Sequence, residues 1–286
     1  MKMKRKLLIS FGVVASLMAI TALALPTILH TAGLHPEFQG EIAGPLPGRR
    51  ALIITTSHDV LSAPGETTGD ETGVMASELT HPYYSFLQSG LEIDVASIKG
   101  GQVPVDPQTL NFVVRTPEDE RYMDDAVLQA KVTNSIAVED VDFTVYDIVF
   151  LSGGWGAAYD LGQSPVLGKK ISEAYYSEKK PLIGGVCHGV LGLIKALDSE
   201  GNLLIAGRKM TGVTDKQIKE LGIEVTPLHP ETELRKAGAR FEANSAFRDV
   251  LATHTVVDEE KRFVTGQNQN SGRETAQAML ALLSER

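Results

Sequence analysis

The stretch PLIGGVCHGV, Pro181 to Val190, holds the only cysteine of the 286-residue chain. Before Cys187 comes a short apolar run of strand length. After it, HGVLGLIKAL reads as a helix. Gly185 and Gly189 stand two positions to either side of the thiol. A strand, a G-x-nucleophile-x-G turn and a helix make a nucleophile elbow, whose glycines relieve crowding where the chain reverses sharply. At a helix N-terminus a thiol is expected to ionise more readily, because free N–H groups and the helix dipole favour thiolate. The alternative is a small buried core residue, which has no need of glycine on both sides.

Outward from the elbow, strands and helices alternate. Arg49–Ser57 and Tyr146–Gly154 are apolar runs of strand length, and Leu91–Ile98 alternates as a half-buried strand does. Thr72–Gly90 reads as a helix with Pro82 kinking or ending it early. Thr116–Ala130 opens with a Thr-Pro cap and Ser164–Lys180 with a Ser-Pro cap. A hairpin is expected around Asp258–Lys261, then a closing helix with Ala276, Met279, Leu280 and Leu283 inward. This order predicts an α/β fold, a three-layer αβα sandwich around a mostly parallel sheet. Ligands of such folds sit beyond the C-terminal strand ends, where Cys187 falls. At a second strand end, LSGGWG (Leu151–Gly156) brings Gly153, Gly154 and Trp155; backbone N–H groups there suit an oxyanion hole.

Composition is that of a globular protein, 43% hydrophobic and 22% charged, with a net charge of −9. No basic cluster occurs beyond the N-terminus, so no nucleic-acid partner is expected. One cysteine excludes an intramolecular disulfide. MKMKRK followed by the uncharged run Leu7–Leu25 reads as a signal peptide or transmembrane anchor over 1–25. Residues 26–49 read as a flexible tether and 50–286 as the domain, exported or membrane-anchored and outside the cytoplasm. The seven histidines show no metal-ligand spacing, and no metal or cofactor is expected. His58 and His81 border the expected site. The loop holding Gly65 and Gly69 reads as a lid or a surface excursion.

TSH (Thr56–His58), TGVMASELTHPYYSFLQSGLEIDVAS, KGGQVPVDP, SGGWG, GVCHG, KMTGVTD and VTGQNQNS occur in an order that resembles the DJ-1/PfpI superfamily. That superfamily has the class I glutamine amidotransferase-like, flavodoxin-like fold, and the nearest branch is the glutathione-independent glyoxalase III type. The resemblance covers about Arg50 to the C-terminus. It implies that Cys187 is the catalytic cysteine, His188 the adjoining histidine and Glu78 the helix glutamate beside the thiol. The implied substrate is methylglyoxal or another small 2-oxoaldehyde, converted without a cofactor to a 2-hydroxy acid. A homodimer is left open. Three positions depart from the pattern: Trp155 replaces a histidine, Ile218 stands where an acid orients the catalytic histidine, and Gln269 replaces a proline. Asp215 and Glu220 are the nearby acids. A holdase chaperone or deglycase of the same fold, or a cysteine amidase or peptidase, are the alternatives. The His-Pro-Glu at His229–Glu231 suggests a glutamine-amidotransferase triad, but it follows Cys187 too soon to leave room for the intervening strands.

Overall fold

The computed structural model describes residues 20–286 together with Ser16 and Met18. Seven strands form one sheet: β1 (Arg50–Thr55), β2 (Glu92–Ser97), β3 (Ile136–Ala137), β4 (Ile148–Leu151), β5 (Leu182–Val186), β6 (Thr255–Val257) and β7 (Phe263–Gly266). Their order is β6-β7-β5-β4-β1-β2-β3. All neighbours pair in parallel except β6 and β7, which form the expected hairpin. The central strands are apolar because both faces are covered. In β1, Leu52 and Ile54 enter one core with Val149, Leu151 and Ile183, while Ala51 and Ile53 enter the other with Ile148, Phe150 and Leu182. The expected αβα sandwich is thus met.

The helices are α1 (Ala76–Gln88), α2 (Pro117–Asp124), α3 (Ala126–Thr133), α4 (Pro165–Tyr176), α5 (Asp215–Leu221), α6 (Pro230–Lys236) and α7 (Gly272–Ser284), with shorter turns between them. Two differ from expectation. The single helix read over Thr116–Ala130 is broken at Asp125, whose carboxylate accepts from the N–H groups of Val127 and Leu128 and so starts a new helix. Conversely, α1 runs through Pro82 to Gln88. In α7 all four expected inward residues are buried.

Ahead of β1 the chain is helical over 20–31. It then runs against α1 and α7. Leu34 is buried, and Ala43 and Leu46 pack on the core. The His35 N–H donates to Asn270 Oδ1 at 2.7 Å, and Asn270 Nδ2 donates to the Gly33 carbonyl at 2.8 Å. Within residues 33–46, a docked strap replaces the expected tether, because scattered apolar residues find partners that proline and glycine content conceals. The exported or membrane-anchored placement is also corrected. No helix among the described residues is long and apolar enough to cross a membrane. The run Leu7–Leu25 lies mostly outside the described residues.

Candidate active site

The strand order reverses direction between β1 and β4, and the crevice beyond their C-terminal ends is where open α/β sheets bind ligands. Cys187 lies there, at the end of β5, with φ +57° in the left-handed region. A non-glycine residue held so is strained, as an elbow nucleophile is. The glycines around it have a measurable cause. A Cβ on Gly185 or on Gly189 would come within 2.3 Å of the Leu151 carbonyl oxygen, so the elbow closes onto β4 only if both are bare. The following turn, Cys187–Leu193, is a 3₁₀ helix rather than the expected α-helix.

Glu78 reaches this point from the first turn of α1 and is wholly buried. Pro82 helps to hold it there. Proline has no N–H to bond the carbonyl four residues back, which frees the Glu78 carbonyl. Ser152 Oγ, just past β4, donates to that carbonyl at 2.9 Å. The carboxyl lies against the Cys187 thiol and the backbone N–H groups of Gly153 and Gly154. Neither carboxyl oxygen meets full hydrogen-bond geometry with a described residue. Gly153 closes the fit: a Cβ there would stand 2.5 Å from Glu78 Oε2 and 2.8 Å from the His188 nitrogen.

Burial decides the electrostatics. It pushes the Glu78 carboxyl from 4.5 up to about 8, against the weaker pull of the thiol and the two amides. Burial likewise pushes the Cys187 thiol well up, and the Glu78 charge adds to this, although the N–H groups of His188 and Gly154 favour the thiolate. The acidic thiol expected from the elbow is therefore corrected: desolvation outweighs the turn's N–H groups. His188 is also fully buried, and burial lowers its imidazole to about 3, with His229 contributing. It is thus neutral near pH 7. Its Nδ1 is 3.4 Å from Cys187 Sγ, and its ring meets that of Trp155 edge-on at 5.1 Å.

Cys187, Glu78, His188, Gly153, Gly154 and Trp155 thus converge. The other candidates are engaged with other residues. His58 stacks on Tyr159 with centroids 4.1 Å apart, and His81 bonds Thr116 Oγ1 at 3.1 Å. Ile218 is a core residue in the cluster that includes Cys187. Asp215 accepts from Thr232 Oγ1, and Glu220 accepts from the Asp249 N–H, so each acid is engaged away from His188. His188 Nε2 has no partner among the described residues. No group of His, Cys, Asp and Glu among the described residues is arranged to hold a metal ion. Sequence reading overlooked Ser152, whose signal was Pro82 four residues beyond Glu78, and gave no place in the site to His229, which is near enough to bear on His188.

Residues 71–282 match the DJ-1/PfpI family. The chain belongs to that family. Among its relatives, glyoxalase 3 of Candida albicans is 31% identical over 230 residues, covering 74% of this chain and 90% of that protein. A glutathione-independent glyoxalase of Saccharomyces cerevisiae is 27% identical, covering 80% of this chain and 95% of its own. The crystal structure of Candida albicans glyoxalase III superposes with a TM-score of 0.72 at 28% identity, over 82% of this chain and 97% of that one. The Francisella tularensis Rapid Encystment Protein 24 KDa superposes with a TM-score of 0.74 at 31% identity, over 82% and 99% of the two chains. Within the DJ-1/PfpI family the chain is thus similar over nearly the full length of proteins named as glyoxalases.

Proposed function

We propose that this protein is a cysteine-dependent glyoxalase of the glutathione-independent kind, converting methylglyoxal or a related 2-oxoaldehyde to a 2-hydroxy acid. The observation that carries the reading is the Glu78 carboxyl buried against the Cys187 thiol and held near neutrality, at about 8. A group that both gives and takes a proton works best with a pKa close to the working pH. The reaction moves one proton from carbon to carbon, so a single well-placed acid–base group suffices.

The active form is the pair after loss of one proton. Glu78 takes the thiol proton as Sγ adds to the aldehyde carbon. The resulting oxyanion is met by the N–H groups of Gly154 and His188, which face the sulfur. Glu78 returns the proton to that oxygen, giving a hemithioacetal. As carboxylate again, it removes the hydrogen from the same carbon; the hydroxyl proton of that carbon passes to the neighbouring oxygen across the enediolate, and Glu78 delivers its proton to the neighbouring carbon. The product on the enzyme is a 2-hydroxy thioester of Cys187. Water attacks its carbonyl, the carbon–sulfur bond breaks, and the 2-hydroxy acid leaves with the thiol restored. Oxidation at one carbon balances reduction at the other, so no external redox partner is consumed.

The test is turnover of methylglyoxal with detection of lactate, comparing the protein with Cys187→Ala. Lactate from the first and none from the second is expected. Equal rates would remove Cys187 from the reaction. The competent Cys187–Glu78 contact also weighs against a solely chaperone role, which has no use for it.

A further inference from the structure

His229 has no role in the steps above, yet it lies beside the elbow. It directly precedes α6, and α6 packs on the turn that carries Cys187. At Gly212, the point where a Cβ would stand is 3.2 Å from Pro230 Cβ and 3.3 Å from the Cys187 carbonyl oxygen. The start of α6 is fixed in place. Thr232 Oγ1 donates to Asp215 Oδ2 at 2.8 Å, and the Asp215 N–H donates to Glu231 Oε2 at 3.0 Å. Nε2 of His188 and Nε2 of His229 are both buried, and neither has a hydrogen-bond partner among the described residues. Asp215 Oδ1, tied to the same first turn, is in the same condition. Buried polar atoms are nearly always bonded, and a water held between two to four of them is the usual solution.

We propose that His229 is the general base of the hydrolytic step, holding with His188 the water that attacks the thioester on Cys187. The inference rests on the glyoxalase reading and assigns the half of that reaction in which Glu78 has no part. The water oxygen bonds to the thioester carbonyl carbon while one water proton passes to His229 Nε2. The carbon–sulfur bond then breaks, and Sγ leaves with its electron pair. The proton on His229 returns to the pair through the departing sulfur, so nothing else is consumed. His188 is a poor proton acceptor here. It is wholly buried and held neutral, and its imidazole is already lowered to about 3. His229 offers the other Nε2 without a partner among the described residues and, unlike His188, is not wholly buried. His188 then orients the water, and its Nδ1 stays with the sulfur.

The experiment is a single-turnover reaction with methylglyoxal on the full chain, quenched in acid and read by intact protein mass. Wild type is compared with His229→Gln and His229→Phe, and folding is checked by thermal melting and by alkylation of Cys187. Wild type is expected to release lactate without accumulating an adduct. Both variants should lose roughly 10²-fold in steady-state turnover, the usual contribution of a positioned base. They should also accumulate one substrate-derived acyl group on Cys187. Hydroxylamine, which attacks a thioester without a general base, should restore release as the hydroxamate. Variants that turn over at the wild-type rate, or slow down with no adduct, overturn the assignment while leaving the glyoxalase reading intact. A wild type that makes no lactate overturns the reading and this inference with it.

Discussion

Replacing Glu78 by Gln should remove a pH-dependent cost that the wild-type fold carries. In the unfolded chain the carboxyl ionises at 4.5, and in the folded protein at about 8. Between those values the folded state holds a proton that the unfolded state has lost. Stability is therefore fully present below 4.5 and falls as pH rises, until the folded carboxyl also ionises near 8. At about 1.4 kcal/mol per pH unit, the whole window is worth about 5 kcal/mol, of which about 3 kcal/mol is already lost at pH 7. Solvent screening does not reduce this much, because the group is wholly buried. Glutamine has the same shape and cannot ionise. Urea unfolding of the two proteins from pH 4.5 to 8.5 should give profiles that diverge by about 1.4 kcal/mol per unit, with Glu78→Gln the more stable at neutral pH. Turnover of the variant should fall by roughly 10²-fold. Parallel stability profiles would show that Glu78 ionises normally in the folded state. Burial would then not be what tunes this carboxyl.

Three further outcomes follow from the same geometry. The kcat/KM for methylglyoxal should rise about tenfold per pH unit and level off near 8, since the pair must first lose one proton; a flat profile from pH 6 to 9 would contradict this. Alkylation of Cys187 by iodoacetamide should be slow at pH 9 in wild type, where Glu78 is ionised, and faster in Glu78→Gln, which removes the charge that opposes the thiolate; a slower variant would mean that Glu78 assists ionisation instead. Gly153→Ala should lose activity and roughly 1–3 kcal/mol of stability, because its Cβ meets backbone atoms and Glu78 Oε2; a fully active, equally stable Gly153→Ala would show that the elbow yields more than its spacing allows.

The elbow was legible because its signal is local. Glycines two residues either side of a cysteine, between an apolar run and a second glycine-rich run, describe a backbone path as much as a composition. The sheet was legible for a related reason: β4 is apolar throughout and β1 is apolar from Ala51 to Ile54, as strands covered on both faces must be. Glu78 came from family resemblance, since a glutamate on a helix is ordinarily solvated. What places it inside is Ser152 bonding the carbonyl freed by Pro82, a contact across 74 residues. The strap over residues 33–46 was hidden because its contacts are with α1 and α7, not with its own neighbours. The thiol's direction of shift was misjudged because the turn's N–H groups can be read from sequence, whereas desolvation depends on everything that closes over the site.

The solitary, covered thiol has a consequence for oxidative damage. Cys187 is 5% exposed, and its resting form is thiol rather than thiolate. Peroxides attack thiolates that they can reach, so both properties slow oxidation. If a sulfenic acid does form, the chain has no second cysteine with which it can condense. Repair must come from a thiol supplied by another molecule, small enough to enter where the substrate enters. The burial that makes the thiol a weaker acid is thus also its protection, in a chain that cannot rescue itself.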